Sequence, residues 1–305
     1  MKKLKDIIIT RIILFVGWIS THISVKSRTA LGRFVGNTIR MLSKKRQEIT
    51  TNNIKRAFPE KSNEWHNKIM KESYQNLGIT MVELLALKSF DDNQIREYIK
   101  YTNIEMINDL HKRGKGVILL SGHFGNWELL AYSAGLFSGL PALIIVKPQK
   151  NKVADEILNS YRTQRGNKII SMYKAAFTIF KALKKGGVIA MLADQSATKD
   201  KDVYVDFFGI PAATYESPAE LALKLDVPIV MGFAVRQKDG TYLVELEEIK
   251  HDDLDNTKEG ILELTRRHVA SLEKAIRTNP NHWAWQHRKW KHTDQYSEEL
   301  SNEGT

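Results

Sequence analysis

From residue 117 onward the chain alternates short, β-branched apolar runs with stretches of helical period, and that alternation admits little besides a layered α/β fold. The runs lie at 117–120, 142–146, 168–171, 188–192, 203–207, 228–235 and 242–247. Between and after them the periodicity predicts helices over 126–138, 152–165, 175–185, 218–224 and 257–278, with further helical stretches at 63–87 and 95–108. Strands separated by helices pair in parallel, while the two runs flanking Lys238-Asp-Gly240 read as an antiparallel closure. The predicted fold is therefore α/β, with a central mostly parallel, mixed sheet flanked by helices. Residues 111–293 form its core, 26–110 a basic, amphipathic helical region packing on it, and 294–305 a polar tail expected to fray.

One corner of this pattern carries chemistry. In Val117-Ile-Leu-Leu-Ser-Gly-His123-Phe-Gly-Asn126-Trp-Glu128, a buried strand runs into a loop and then a helix with Asn126 as its N-cap. His123 is thereby placed at the carboxyl end of a strand, where open α/β sheets bind ligands, and Glu128 in the first turn of the next helix. Gly125 lets the loop fold Glu128 toward the imidazole. A carboxylate on one ring nitrogen would fix the tautomer and leave the other nitrogen as a general base. The chain has no Cys and no Ser at a recognisable nucleophile elbow, so such a base would act directly on a substrate hydroxyl. The plainer alternative is a His that ends a strand and a Glu that complements the helix dipole.

Other residues divide between structural and functional readings. Asp194-Gln195 also follows a predicted strand, either as an Asp-capped turn or as support for His123 and acceptor binding. Arg236 and Arg288 are candidates for headgroup or carrier phosphates against a default of ion pairing. His22, His66, His111, His251, His268, His282 and His287 lack zinc-ligand spacing and read as surface or structural. No glycine pattern marks a dinucleotide or P-loop site, so neither metal nor cofactor is expected.

The motif around His123 resembles the His-x4-Asp/Glu block of the lysophospholipid acyltransferase superfamily. More narrowly, the chain is similar to the bacterial lipid A biosynthesis (late) acyltransferases. Asn53-Ile-Lys-Arg-Ala-Phe-Pro59, the helical block from Asn76 through Glu83, Asp194-Gln195-Ser196, Val205-Asp-Phe-Phe-Gly209 and Asn281-His-Trp-Ala-Trp-Gln-His-Arg288 all resemble blocks of that family, in the same order. Lys147 stands where the family commonly has Arg, keeping the charge but losing the planar fork. The resemblance implies a glycerolipid acyltransferase-like fold and an O-acyltransferase in which His123 and Glu128 are catalytic. Asn126, Lys147, Asp194, Gln195, Phe208, Gly209, Arg236 and Arg288 would then contact substrates, with backbone amides near Gly209, together with Lys147 or Arg236, stabilising the oxyanion and phosphates. The implied donor is an acyl thioester, on acyl carrier protein or on CoA, and the implied acceptor a lipid A precursor. Another glycolipid or aminolipid acceptor, or lipid binding without chemistry, are the alternatives.

Charge bears on location. Residues 1–56 hold thirteen Lys/Arg against two acidic residues, the whole of the chain's surplus of eleven, while the remainder balances. That is not the footprint of a nucleic-acid-binding body. The surplus flanks the most apolar stretch, residues 7–19, which Arg11 interrupts and which is shorter than a spanning helix needs. Residues 1–25 are therefore expected to form an anchoring helix on an anionic membrane surface, at the cytoplasmic face of an inner membrane. A short span is the runner-up. The apolar stripe Leu31, Phe34, Val35, Thr38, Ile39 and Leu42 reads equally as core or as membrane-proximal. The sequence says nothing about oligomeric state.

Overall fold

A computed structural model of the chain describes residues 2–197 and 203–293; the expected polar tail lies outside the described residues. Four helices come first: α1 (Lys2–His22), α2 (Val25–Met41), α3 (Lys44–Ala57) and α4 (Asn63–Ala86). Then follow α5 (Asp92–Tyr98), β1 (Ile99–Tyr101), α6 (Glu105–Lys112), β2 (Val117–Ser121), α7 (Trp127–Ser138), β3 (Ala142–Val146) and α8 (Lys152–Thr163). After β4 (Lys168–Ser171), α9 (Ala176–Lys184), β5 (Val188–Leu192), β6 (Val203–Phe207) and β7 (Ile210–Thr214) come α10 (Ser217–Leu225), β8 (Ile229–Arg236), β9 (Tyr242–Ile249) and α11 (Lys258–Thr278), and a short 3-10 turn at Pro280–His282 leads into the last described residues.

Seven strands form one sheet in the order β1-β9-β8-β2-β5-β3-β4. Its ladders are parallel except β8/β9, the closure expected around Gly240. Alternation along β2 feeds two cores: Ile118 and Leu120 face α9, α10 and α11, while Val117 and Leu119 face α6, α7 and α8. Because β2 lies between β8 and β5 while the chain leaving it crosses to β3, the strand order reverses at its carboxyl end and a crevice opens there.

One expectation fails, and one strand was not foreseen. The helix predicted over 95–108 is split, for α5 stops at Tyr98 and Ile99–Tyr101 becomes an edge strand paired with β9. A capping box between Asp91 and Gln94 fixes the start of α5, and ladder pairing wins over local period from Ile99 on. Residues 210–214, where Pro211 discourages a strand, form β7. It pairs with β6 in a separate two-stranded ladder, where the missing proline N–H is tolerated.

The stripe on α2 is also redistributed. The buried face of α2 is Arg28, Gly32 and Gly36, and α2 lies so close to α4 that a Cβ on Gly36 would sit 2.1 Å from the Tyr74 carbonyl oxygen. Backbone contact, rather than the apolar stripe, joins the two helices; Phe34 (68%) and Leu42 (80%) stay exposed.

Candidate active site

Beyond Ser121 the chain turns through Gly122-His-Phe-Gly before α7 begins. Gly125 has φ +58°, and a Cβ there would lie 1.8 Å from the Ala234 carbonyl oxygen, so this tight passage needs glycine. The loop is fixed from both sides. The Gly125 and Asn126 N–H groups donate to the carbonyls of His282 (2.9 Å) and Ala234 (3.2 Å), and the Gly125 carbonyl accepts from Asn76 Nδ2 (3.1 Å) and Thr80 Oγ1 (3.0 Å). His123 is consequently held rigidly at the head of the crevice.

Its carboxylate partner is Asp194. β5 is the parallel neighbour of β2, so the loops leaving the two strands lie side by side. Asp194 Oδ1 is 2.8 Å from His123 Nδ1, while Oδ2 accepts from the His123 N–H (2.8 Å) and from Trp283 Nε1 (2.8 Å). Burial alone would raise the Asp194 pKa, but the charge and hydrogen bonds of His123 and Trp283 hold the carboxyl well below the usual range. For His123, burial opposes the charged ring, and Asp194, with a smaller contribution from Glu128, more than offsets it. The imidazole pKa is raised above its ordinary value.

The expected role of Glu128 as the group orienting His123 is thus corrected. Glu128 accepts two hydrogen bonds from Arg162 of α8, at 2.6 and 2.9 Å. As the second residue of a helix capped by Asn126 it projects toward α8, and the pair lines the same cavity as His123. That cavity, about 290 Å³, runs from His123 along the α7 side of the sheet. Trp127, Lys147 and Gln195 lie with His123 near its polar end, and Leu119, Leu130, Ile144, Val230 and Leu246 line its apolar depth.

Gln195 sits between two imidazoles, with Nε2 3.3 Å from His123 Nε2 and 3.0 Å from His287 Nε2. His287, expected to be a surface or structural residue, therefore belongs to the site. Burial, and then repulsion from His123, push its pKa down to about 4. A second unforeseen residue is Lys289, 2% exposed, which lines a small buried cavity behind Asp194 together with His268. Burial lowers its pKa to about 8, with Asp194 resisting. Nothing in the spacing of these residues marks them, because a strand-like return at Trp283, bridged to Phe124, carries them to His123.

Five other expected contacts fall elsewhere. Asn126 is fully buried, capping α7 through Leu129 N–H and donating to Glu83 Oε2 (2.7 Å). Arg236 is paired with that same buried Glu83 at 2.5 and 3.1 Å. Phe208 and Gly209 form the β6–β7 turn outside the cavity, and the Phe208 N–H already donates to Glu273 (2.6 Å), so it is not free as an oxyanion donor. Arg288 is exposed in a separate shallow recess beside Asn52 and Lys55. Among the described residues no three His, Asp or Glu side chains converge as a metal cage would require.

With a base held by a carboxylate at the head of an apolar cavity, relationships to known proteins become informative. The family described as "Bacterial lipid A biosynthesis acyltransferase" matches residues 2–292. The chain belongs to this family. It is an acyltransferase, as the resemblance of its blocks implied. The Escherichia coli K12 lipid A biosynthesis lauroyltransferase is 24% identical over 277 residues, covering 90% of this chain and 88% of the relative. The palmitoleoyltransferase of the same organism matches to the same extent. A Haemophilus influenzae lipid A biosynthesis acyltransferase is 20% identical over 274 residues, covering 90% and 83%.

Proposed function

We propose that this acyltransferase moves a fatty acyl chain from acyl carrier protein to a hydroxyl of a lipid A precursor at the cytoplasmic face of the inner membrane. The observation that carries the reading is His123, whose Nδ1 is occupied by Asp194, standing at the mouth of an apolar cavity. The Nε2 lone pair takes the acceptor proton, the acceptor oxygen bonds to the acyl carbon, and the carbon–sulfur bond breaks. The imidazolium then returns its proton to the leaving thiolate. Asp194, with Glu128 in the background, stabilises the imidazolium, and no cofactor enters the reaction. Glu128 keeps a place in the site through Arg162, a paired cation facing the cavity.

A carrier protein as donor is supported by charge. The overall balance beyond residue 56 conceals a local excess: residues 147–185 hold ten Lys/Arg and two acidic residues. Eight of the ten are exposed lysines: Lys147, Lys150, Lys152, Lys168, Lys174, Lys181, Lys184 and Lys185. The segment also includes Met172 of the cavity lining, so an acidic carrier docking there would present its thioester to the opening. Acyl-CoA, through its phosphates, would engage only a few of these lysines, whereas an acidic carrier surface can meet many of them.

Membrane attachment is supported by α1. No helix among the described residues is long and apolar enough to cross a membrane. Yet Ile8, Ile12, Phe15 and Trp18 are 50–63% exposed, while Ile13 and Val16 pack on the core. An exposed apolar ridge beside surplus positive charge fits a helix lying in the interface. Deleting residues 1–24 is expected to release most of the protein from membranes. High salt alone should release only part, since it screens the lysines but not apolar burial. A truncated protein that still sediments fully with membranes would shift the contact to α2 or elsewhere.

Mass spectrometry of lipids from a deletion strain tests the acceptor. A lipid A species lacking one acyl group supports the proposal. Unchanged lipid A with one missing glycolipid or aminolipid would replace the acceptor while keeping the chemistry. An unchanged lipid profile, with no consumption of donor by the purified protein, would leave only lipid binding.

A further inference from the structure

The site contains a hydrogen-bond chain whose donors and acceptors can be assigned from one end. Asp194 is ionised and accepts, so His123 Nδ1 carries the proton, and in the neutral ring that acts as the base His123 Nε2 holds the lone pair. The Gln195 terminus 3.3 Å from that lone pair must then be the amide NH2, not the oxygen. Its second hydrogen points to His287 Nε2 at 3.0 Å, so His287 also accepts, is neutral, and carries its proton on Nδ1. The depressed pKa of His287 agrees with this assignment.

The consequence concerns the tetrahedral intermediate. An acceptor hydroxyl that reaches His123 Nε2 displaces one N–H of Gln195, which is left beside the attacking oxygen. The oxyanion forms on the carbon bonded to that same oxygen. The Phe208 N–H is committed to Glu273 and Arg162 to Glu128 in a two-point ion pair; of the remaining donors that line the cavity, Gln195 is within hydrogen-bond distance of His123 Nε2, whereas Lys147 is exposed.

We propose that the Gln195 side-chain amide is an oxyanion donor, and that neutral His287 is the positioning residue that keeps its NH2 turned toward the reacting carbon. The role rests on the acyl-transfer reading given above. No charge moves through Gln195; it donates a hydrogen bond that strengthens as the carbonyl oxygen becomes an alkoxide, and it leaves that bond when the carbon–sulfur bond breaks.

Two measurements on the full-length protein test this. In steady-state transfer from acyl carrier protein to a lipid A precursor, Gln195→Met, which keeps the length but removes the donor, is expected to lower kcat about 10²–10³-fold with KM nearly unchanged. His287→Leu should lose part of the same kcat. The double variant should be no worse than Gln195→Met alone, because both substitutions remove one function. A kcat within threefold of wild type for Gln195→Met, a loss confined to KM, or additive losses in the double variant would overturn the proposal. The second measurement needs no substrate. Imidazole ¹⁵N NMR at pH 7 should show His287 neutral with the proton on Nδ1; a charged ring, or a proton on Nε2, overturns the assignment of donors. A wild-type protein that transfers no acyl group would instead defeat the acyl-transfer reading, and with it the oxyanion role, and is told apart from a defect confined to the variants.

Discussion

Replacing His123 with alanine is expected to lower acyl transfer by at least the ~10²–10⁴-fold associated with a general base, leaving the fold intact. No neighbour can take over. Glu128 is engaged by Arg162, and His287 has its Nε2 directed at Gln195. The pH dependence follows from the raised His123 pKa. Only the neutral ring accepts a proton, so activity should fall as pH drops through that pKa, and the acid limb should lie above the ordinary histidine range near 6.5. Asp194→Asn removes the charge that holds the pKa up, so its remaining activity should show an acid limb at lower pH. Its rate should drop by as much as ~10⁴-fold, because the tautomer is no longer fixed. Glu128→Gln should cost less than Asp194→Asn and move the limb less, since Glu128 acts on the ring only at longer range. Near-wild-type rates in His123→Ala would end the mechanism; a larger loss in Glu128→Gln than in Asp194→Asn would restore Glu128 as the orienting carboxylate.

That contrast marks how far the sequence could be read. Alternation of period exposed the strands and most helices, because a buried parallel strand and an amphipathic helix write different spacings into the chain. His123 was legible because its strand, loop and N-cap are consecutive. Its partner was legible only as one of two readings, an Asp-capped turn or support for His123. Asp194 was visible as a residue at a strand's end, but its meeting with His123 depends on β5 lying next to β2, and strand order leaves no local mark. Glu128, five residues from His123, attracted the role by its nearness in the chain and by the resemblance to a His-x4-Asp/Glu block. His287 and Lys289 arrive through the Trp283 return, whose path is set by tertiary contacts such as Asn53 Nδ2 to the carbonyls of Trp285 (2.8 Å) and His287. Ile99–Tyr101 was misread for a related reason, since an edge strand of three residues exists only because β9 is there to pair with it. Even the charge balance beyond residue 56 was true and uninformative, because it averages a basic surface at 147–185 with acidic residues elsewhere.

Arg236→Met should be the most destabilising of the substitutions considered, by about 3–5 kcal/mol, because it strands a buried carboxylate. Glu83 is 1% exposed and receives hydrogen bonds from Arg236 at 2.5 and 3.1 Å, Tyr242 Oη at 2.5 Å and Asn126 Nδ2 at 2.7 Å. With Arg236 gone, neutral donors alone face a full negative charge at a site closed to water. The damage should reach the active site, because Asn126 also caps α7 and its N–H donates to Ala234, two residues before Arg236. Adding Glu83→Gln to Arg236→Met should recover much of the lost stability, since removing both charges costs far less than leaving one unpaired. Chemical denaturation of the two variants separates this structural role from phosphate recognition. A phosphate-binding Arg236 would give a variant of normal stability with a raised KM for the acceptor. A buried ion pair gives the reverse: an unstable single variant, repaired by the second substitution, with KM little changed in the fraction that remains folded.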